Sequence, residues 1–182
     1  MQRSLILAIV ATALIAAAPL GRAQGSYAGQ QSREIKALSA EETRQYLAGA
    51  GMGYAKPAEL NGYPGPMHVL ENADGLALTP EQRKQTVALM QAHKEEAKAI
   101  GAKLVAAERA LDALFRSKSA ESASLEQAVR GAAAMQASYR LSHLETHRRM
   151  RDLLTTEQIA KYDAFRGYAA EATDWHLRRE GH

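Results

Sequence analysis

Leu78-Thr79-Pro80-Glu81-Gln82 opens the longest uninterrupted helical pattern in the chain, and Leu154-Thr155-Thr156-Glu157-Gln158 repeats the element 76 residues later. A threonine just before a helix offers its hydroxyl to an unpaired N–H of the first turn. A glutamine three residues on can accept from the threonine's own N–H. Pro80 suits the first helical position, where no N–H partner is needed. Over residues 81–118 no further Pro occurs, and Gly101 is the one Gly. Met90, Ala97, Ile100, Leu104, Ala107, Leu111 and Leu114 recur in steps of three and four, which marks one face of a helix. Such a helix of about 37 residues spans roughly 55 Å. Residues 117–124 hold four Ser and form the turn. Ser124 with Gln127 reads as a further capping box, and Leu125, Val129, Ala132, Tyr139, His143, Met150 and Leu153 continue the same spacing. Ile159, Tyr162 and Phe165 supply the face of the helix that begins at Thr155, and Gly167 suits its cap. Two long helices joined by a short polar turn fold back on each other. The expected fold is therefore all-α: a long antiparallel helical hairpin with short flanking helices. Its seam is thin and rich in Ala, so a dimer is expected to supply the missing core.

Working outward, the hairpin domain is expected over residues 77–168. Ser39 with Glu42 at its third position predicts a short helix to about Ala48, and another is expected from Met67 to about Ala73. Between them, residues 49–66 carry five Gly and three Pro, a loop signal. These elements make up a segment at 38–76. Residues 24–37 are polar and read as a flexible tail, and 169–182 as a C-terminal tail or frayed helix. Residues 1–23 read as a signal peptide: Arg3, then a 14-residue apolar run at 5–18 broken only by Thr12, then Pro19 and Gly21-Arg22-Ala23. An uncleaved anchor is the alternative. Export is the expectation.

The composition agrees. The 182 residues include no Cys, which excludes disulfides, thiolate metal sites and Cys nucleophiles. The net charge is +3, and loss of the leader, with two Arg and no acid, lowers it to +1, so no nucleic acid is expected as a partner. No nucleophile set, phosphate loop or paired acid is present, and helical hairpins with Ala seams rarely enclose a pocket; no enzyme is expected.

With the leader, the missing Cys and the hairpin, the two elements built on Leu78, Thr79, Gln82 and on Leu154, Thr155, Gln158 resemble the periplasmic LTxxQ proteins, the Spy/CpxP-type chaperones and related heavy-metal sensor and resistance proteins. The resemblance covers residues 78–168. It implies a cradle-like antiparallel dimer that binds unfolded clients without ATP or restrains an envelope-stress sensor. The other activity it implies is binding of a metal. In such proteins the LTxxQ segments are helix starts, as the cap chemistry also reads.

Two candidate surfaces follow. His143 and His147 are one helical turn apart and can chelate a divalent ion. With His93 on the other long helix and Met150 on the same stripe, the set suits nickel, cobalt, copper or zinc. The plainer reading leaves His93 and His143 in the seam and His147 in water. Lys94, Lys98 and Lys103 on one helix and Arg140, Arg148 and Arg151 on the other form a basic face for clients. Its plainer reading is a solvated face with pairs such as Asp112–Arg116 and Glu145–Arg149. His68 and Glu71 form a one-turn pair, read as solvated.

Overall fold

The computed structural model describes residues 25–168. The leader expected over 1–23 and the end over 169–182, with His176 and His182, lie outside the described residues. The described residues fall into two units, 25–31 and 32–168. Of the first, residues 25–31 are a run of turns in which Ala28 N–H bonds Gly25 and Gln30 N–H bonds Tyr27.

Among the described residues the second unit is all-helical: α1 (Ala40–Leu47), α2 (Lys56–Glu59), α3 (Pro66–Glu71), α4 (Pro80–Arg116), α5 (Ser122–Leu153) and α6 (Thr156–Phe165). The expected hairpin is α4 and α5. Ser39, Thr79 and Thr155 each accept from the N–H three residues on, and the Glu42, Gln82 and Gln158 side chains each accept from the cap's own N–H. The expected box at Ser124 does not form. α5 begins at Ser122 with Glu121 as cap, and Ser124 Oγ instead donates to the Glu121 carbonyl at 2.9 Å. A serine inside a first turn has that carbonyl within reach, and the bond takes its hydroxyl. The connecting turn is closed by Lys118 in the left-handed region, φ 57°.

The hairpin buries two apolar clusters. One gathers Val69, Ala73, Leu76, Leu78, Leu89, Met150 and Tyr162 near the helix starts. The other gathers Ile35, Tyr46, Ala97, Leu104, Val105 and Tyr139 further along. The expected stripe is shifted in places: Leu89 and Val105 are buried, whereas Val129 and Phe165 are about half exposed. The tail expected over 24–37 holds down from residue 34 onward. Ile35 is 2 % exposed, Lys36 N–H bonds Asp112 at 3.1 Å, and Glu34 pairs with Arg109 at 2.9 Å. A single apolar residue in a polar stretch gave the periodicity nothing to register.

Gly101, the one Gly in α4, has a packing role. A Cβ there would stand 2.0 Å from the Tyr46 carbonyl oxygen, so α1 ends directly against α4. Gly49, at φ 68°, then carries the chain over Ala97 and Lys98. That contact sets residues 49–66 across one side of the hairpin.

Candidate functional site

Between the two apolar clusters one layer of the hairpin is polar. On α4 the order is Leu89, His93, Ala97; on α5 it is Tyr139, His143, Thr146, Met150. His93 Nε2 and His143 Nδ1 lie 3.0 Å apart, with ring centroids 4.5 Å apart and nearly perpendicular. One ring donates and the other accepts, so at least one nitrogen of the pair carries no proton. The outward nitrogens, His93 Nδ1 and His143 Nε2, are buried and have no partner among the described residues. Burial lowers the His143 pKa to about 4, aided by the fields of His93 and His147, and burial likewise lowers that of His93. Both rings are neutral at pH 7. Aromatic rings hold the layer from behind: Tyr139 packs 4.8 Å from His143 and edge-on to Tyr46 and Tyr54, and its hydroxyl donates to the Ala50 carbonyl at 2.7 Å. Burial pushes the Tyr139 pKa up to about 12.

This layer forms the floor of a cleft of about 890 Å³, walled by residues 48–56 on one side and by α4 and α5 on the other. Met52, Met67 and Met90 supply most of its large apolar side chains, beside Gly49, Gly51, Gly53 and Ala50. The pocket that an Ala-rich hairpin was not expected to enclose is made by the Gly/Pro-rich segment lying over it. Lys56, Lys94, His68 and Arg166 stand around it.

The far wall is fixed by Glu59. Tyr162 and Tyr168 hydroxyls donate to its Oε1 at 2.5 and 3.2 Å, Arg166 lies 3.3 Å from the same oxygen, and His147 Nδ1 is 3.5 Å from Oε2. Burial and the bond to Glu59 raise the Tyr162 pKa, and burial with the Glu59 charge raises that of Asp163. His147 Nδ1 also donates to the Tyr63 carbonyl at 2.8 Å.

The candidate metal set therefore separates. The structure brings His93 to His143, sets His147 on Tyr63 and Glu59 rather than in water, and places Met150, fully buried, in the apolar cluster with Val69 and Leu76. Among the described residues no group of three or more His, Asp or Glu is placed to hold an ion. His68 meets Glu71 at 2.7 Å, as its spacing implied. The basic face also divides. Lys94, Lys103 and Arg140 are exposed, and Lys98 pairs with Glu95. Arg148 is held by Glu145 and Asp152, where Glu145–Arg149 was the expected pair. Arg151 leaves the face altogether: it donates to the Gly62 carbonyl and lies 4.7 Å over the Tyr63 ring. The partner is 89 residues away, beyond any local pattern.

The two repeated elements meet. Gln82 Nε2 donates to Gln158 Oε1 at 2.8 Å, and Gln158 Nε2 to Gln82 Oε1 at 3.0 Å. Each also reaches the chain beyond its own helix: Gln82 donates to the Leu153 carbonyl and Gln158 to that of Leu76. The motif thus caps two helices and ties their starts together.

A family model described as LTXXQ motif family protein matches residues 67–166, more than half of the chain and all of α4, α5 and α6. α1 and α2, which carry one wall of the cleft, fall outside the match. No curated protein and no solved structure matches the chain.

Proposed function

The chain belongs to the LTXXQ motif family, a family of periplasmic, non-enzymatic proteins, and on that premise we propose that it is an ATP-independent envelope-stress chaperone or adaptor that holds unfolded or partner proteins. The observation that carries this reading is the cleft. Three methionines line it, and Met side chains adapt to varied apolar groups because they are unbranched and polarisable. Glycine and alanine leave the opposite wall open to a passing chain. Lys103 stands near the exposed Leu141 on the hairpin, and Arg140 is exposed as well. A weak, broad surface of this kind releases clients without an energy source. The working form is a homodimer in this reading, supported by the half-exposed Val129 and the 64 % exposed Leu141 on α5, which a second copy would cover. Export by a cleaved leader belongs to the same proposal.

The test is suppression of aggregation of a chemically unfolded client by the purified protein without nucleotide, beside light scattering for its mass. Suppression at near-stoichiometric ratios that weakens in Met90→Gln supports the reading. Unchanged client aggregation at excess protein sinks it.

A second reading has its own observation: two neutral, buried imidazoles with unpartnered His93 Nδ1 and His143 Nε2. Metal ligation needs neutral imidazole, and nickel, cobalt, copper or zinc would suit it. Calorimetric titration with each ion decides. Absence of binding at micromolar metal removes the sensor reading.

A further inference from the structure

We propose that the cleft is selective for acidic apolar peptide segments, in which a large apolar side chain stands next to a carboxylate. This deepens the chaperone reading and rests on it. The argument begins with charge. Lys56 and Lys94 both line the cleft, are exposed, and have no ion pair among the described residues. The one carboxylate in the lining, Glu59, is already engaged by Tyr162, Tyr168, Arg166 and His147. The rim therefore carries two cations without an ion-pair partner, over a cleft whose large apolar lining is Met52, Met67 and Met90. Charge complementarity of that sort sets which partner enters more than how tightly it is held.

The walls favour a peptide over a free fatty acid. The N–H groups of Gly51, Met52 and Gly53 donate to no group among the described residues, and they succeed one another along one wall. His93 Nδ1 and His143 Nε2 add unpartnered polar atoms at the floor. An alkyl chain has nothing to offer these groups, whereas a peptide brings a carbonyl every residue. The wall that carries these N–H groups, and Lys56, belong to the segment outside the family match, whereas Lys94 on α4 lies within it.

The loop also provides the control. A Cβ added at Gly51 meets nothing within 4 Å, and its φ is not in the left-handed region. Gly51→Trp therefore puts a large ring at the cleft mouth without disturbing the wall. Fluorescence anisotropy would compare two labelled peptides, one with Asp residues flanking Leu and Phe, the other with Lys in their place, against wild type, Lys56→Glu/Lys94→Glu and Gly51→Trp, with dodecanoate as competitor. Wild type should prefer the acidic peptide by at least about fivefold, the double reversal should invert the order, and Gly51→Trp should weaken both, each with an unchanged melting curve. Equal affinity of wild type for the two peptides, or indifference to the double reversal, overturns the proposal. So does binding of dodecanoate with no peptide preference, which would make the cleft a lipid site. If the unfolded client of the previous section is held while these peptides are not distinguished, the chaperone reading survives and the selectivity does not. If neither is held, both fall.

Discussion

Gln158→Glu separates capping from the contact between the two repeated elements. Gln158 is 8 % exposed. Its Oε1 accepts from Thr155 N–H at 2.9 Å, and its Nε2 donates to Gln82 Oε1 at 3.0 Å and to the Leu76 carbonyl at 3.3 Å. Glutamate keeps the capping acceptor, since Glu serves as well as Gln at this position of a capping box. Its charge also suits a helix start by about 0.3–1 kcal/mol. What it removes is the donor. The buried Leu76 carbonyl loses its side-chain donor, Gln82 Oε1 keeps only Thr79 N–H, and an oxygen now faces it. A net hydrogen bond contributes about 0.5–1.5 kcal/mol, and a buried group left unpaired costs about 1–3 kcal/mol. Loss outweighs the dipole gain, leaving a destabilisation of roughly 2–3 kcal/mol. At about 2–4 °C per kcal/mol for a chain of this size, Tm falls by roughly 4–12 °C. Urea melts followed by circular dichroism measure it. A double-mutant cycle of Gln82→Ala and Gln158→Ala should return a coupling of at least about 1 kcal/mol, because the two amides bond each other. A Glu variant as stable as wild type, or additivity within about 0.5 kcal/mol, would show that the glutamines act only as separate caps.

Gly101→Ala should destabilise strongly despite the better helix propensity of Ala. The gain is about 1 kcal/mol, whereas a Cβ 2.0 Å from the Tyr46 carbonyl oxygen forces α1 off α4 at a cost of several kcal/mol, read by the same melts. Thr79→Ala and Thr155→Ala should each cost about 0.5–2 kcal/mol and leave client binding per folded molecule unchanged; binding lost at an unaltered melting curve would contradict the cap role. Stability should fall as pH drops from about 6.5 to about 4. His143 titrates near 4 in the fold and near 6.5 when unfolded, so between these values the unfolded chain binds the extra proton. His143→Gln should flatten that part of a stability–pH curve, and an unchanged slope would place the pKa shift elsewhere. If a transition metal binds, His93→Ala and His143→Ala should each lose it while His147→Ala retains it, because His147 is held by Tyr63 and Glu59; calorimetry reads all three.

Local chemistry made the helices legible. Thr79, Thr155 and Ser39 mark their starts by short-range hydrogen bonds, and the three-four spacing marks their faces, so the all-α hairpin can be read without any distant contact. Where the rule fails, at Ser124, the competitor is equally local, a carbonyl three residues back. The site is different in kind. Two histidines at i and i+4 were readable as a pair, but which nitrogen meets which is decided across the seam, where His93 is 50 residues from His143. The Gly/Pro density of residues 49–66 announced a loop and said nothing of where it lies. Its position is fixed by Gly101 admitting the end of α1 and by Glu59 binding Tyr162, 103 residues on. Only those long-range contacts turn a bare hairpin into a walled cleft. Arg151 and Ile35 give the same lesson in miniature: a cation that looked free is spent on Gly62 and Tyr63, and a lone apolar residue in a polar stretch fills a core. The sequence by itself determined the helices and their caps, because those depend on neighbours within one turn. The tertiary structure alone decided the cleft, the histidine pairing and the joining of Gln82 to Gln158, because each depends on groups that the chain brings together only by folding.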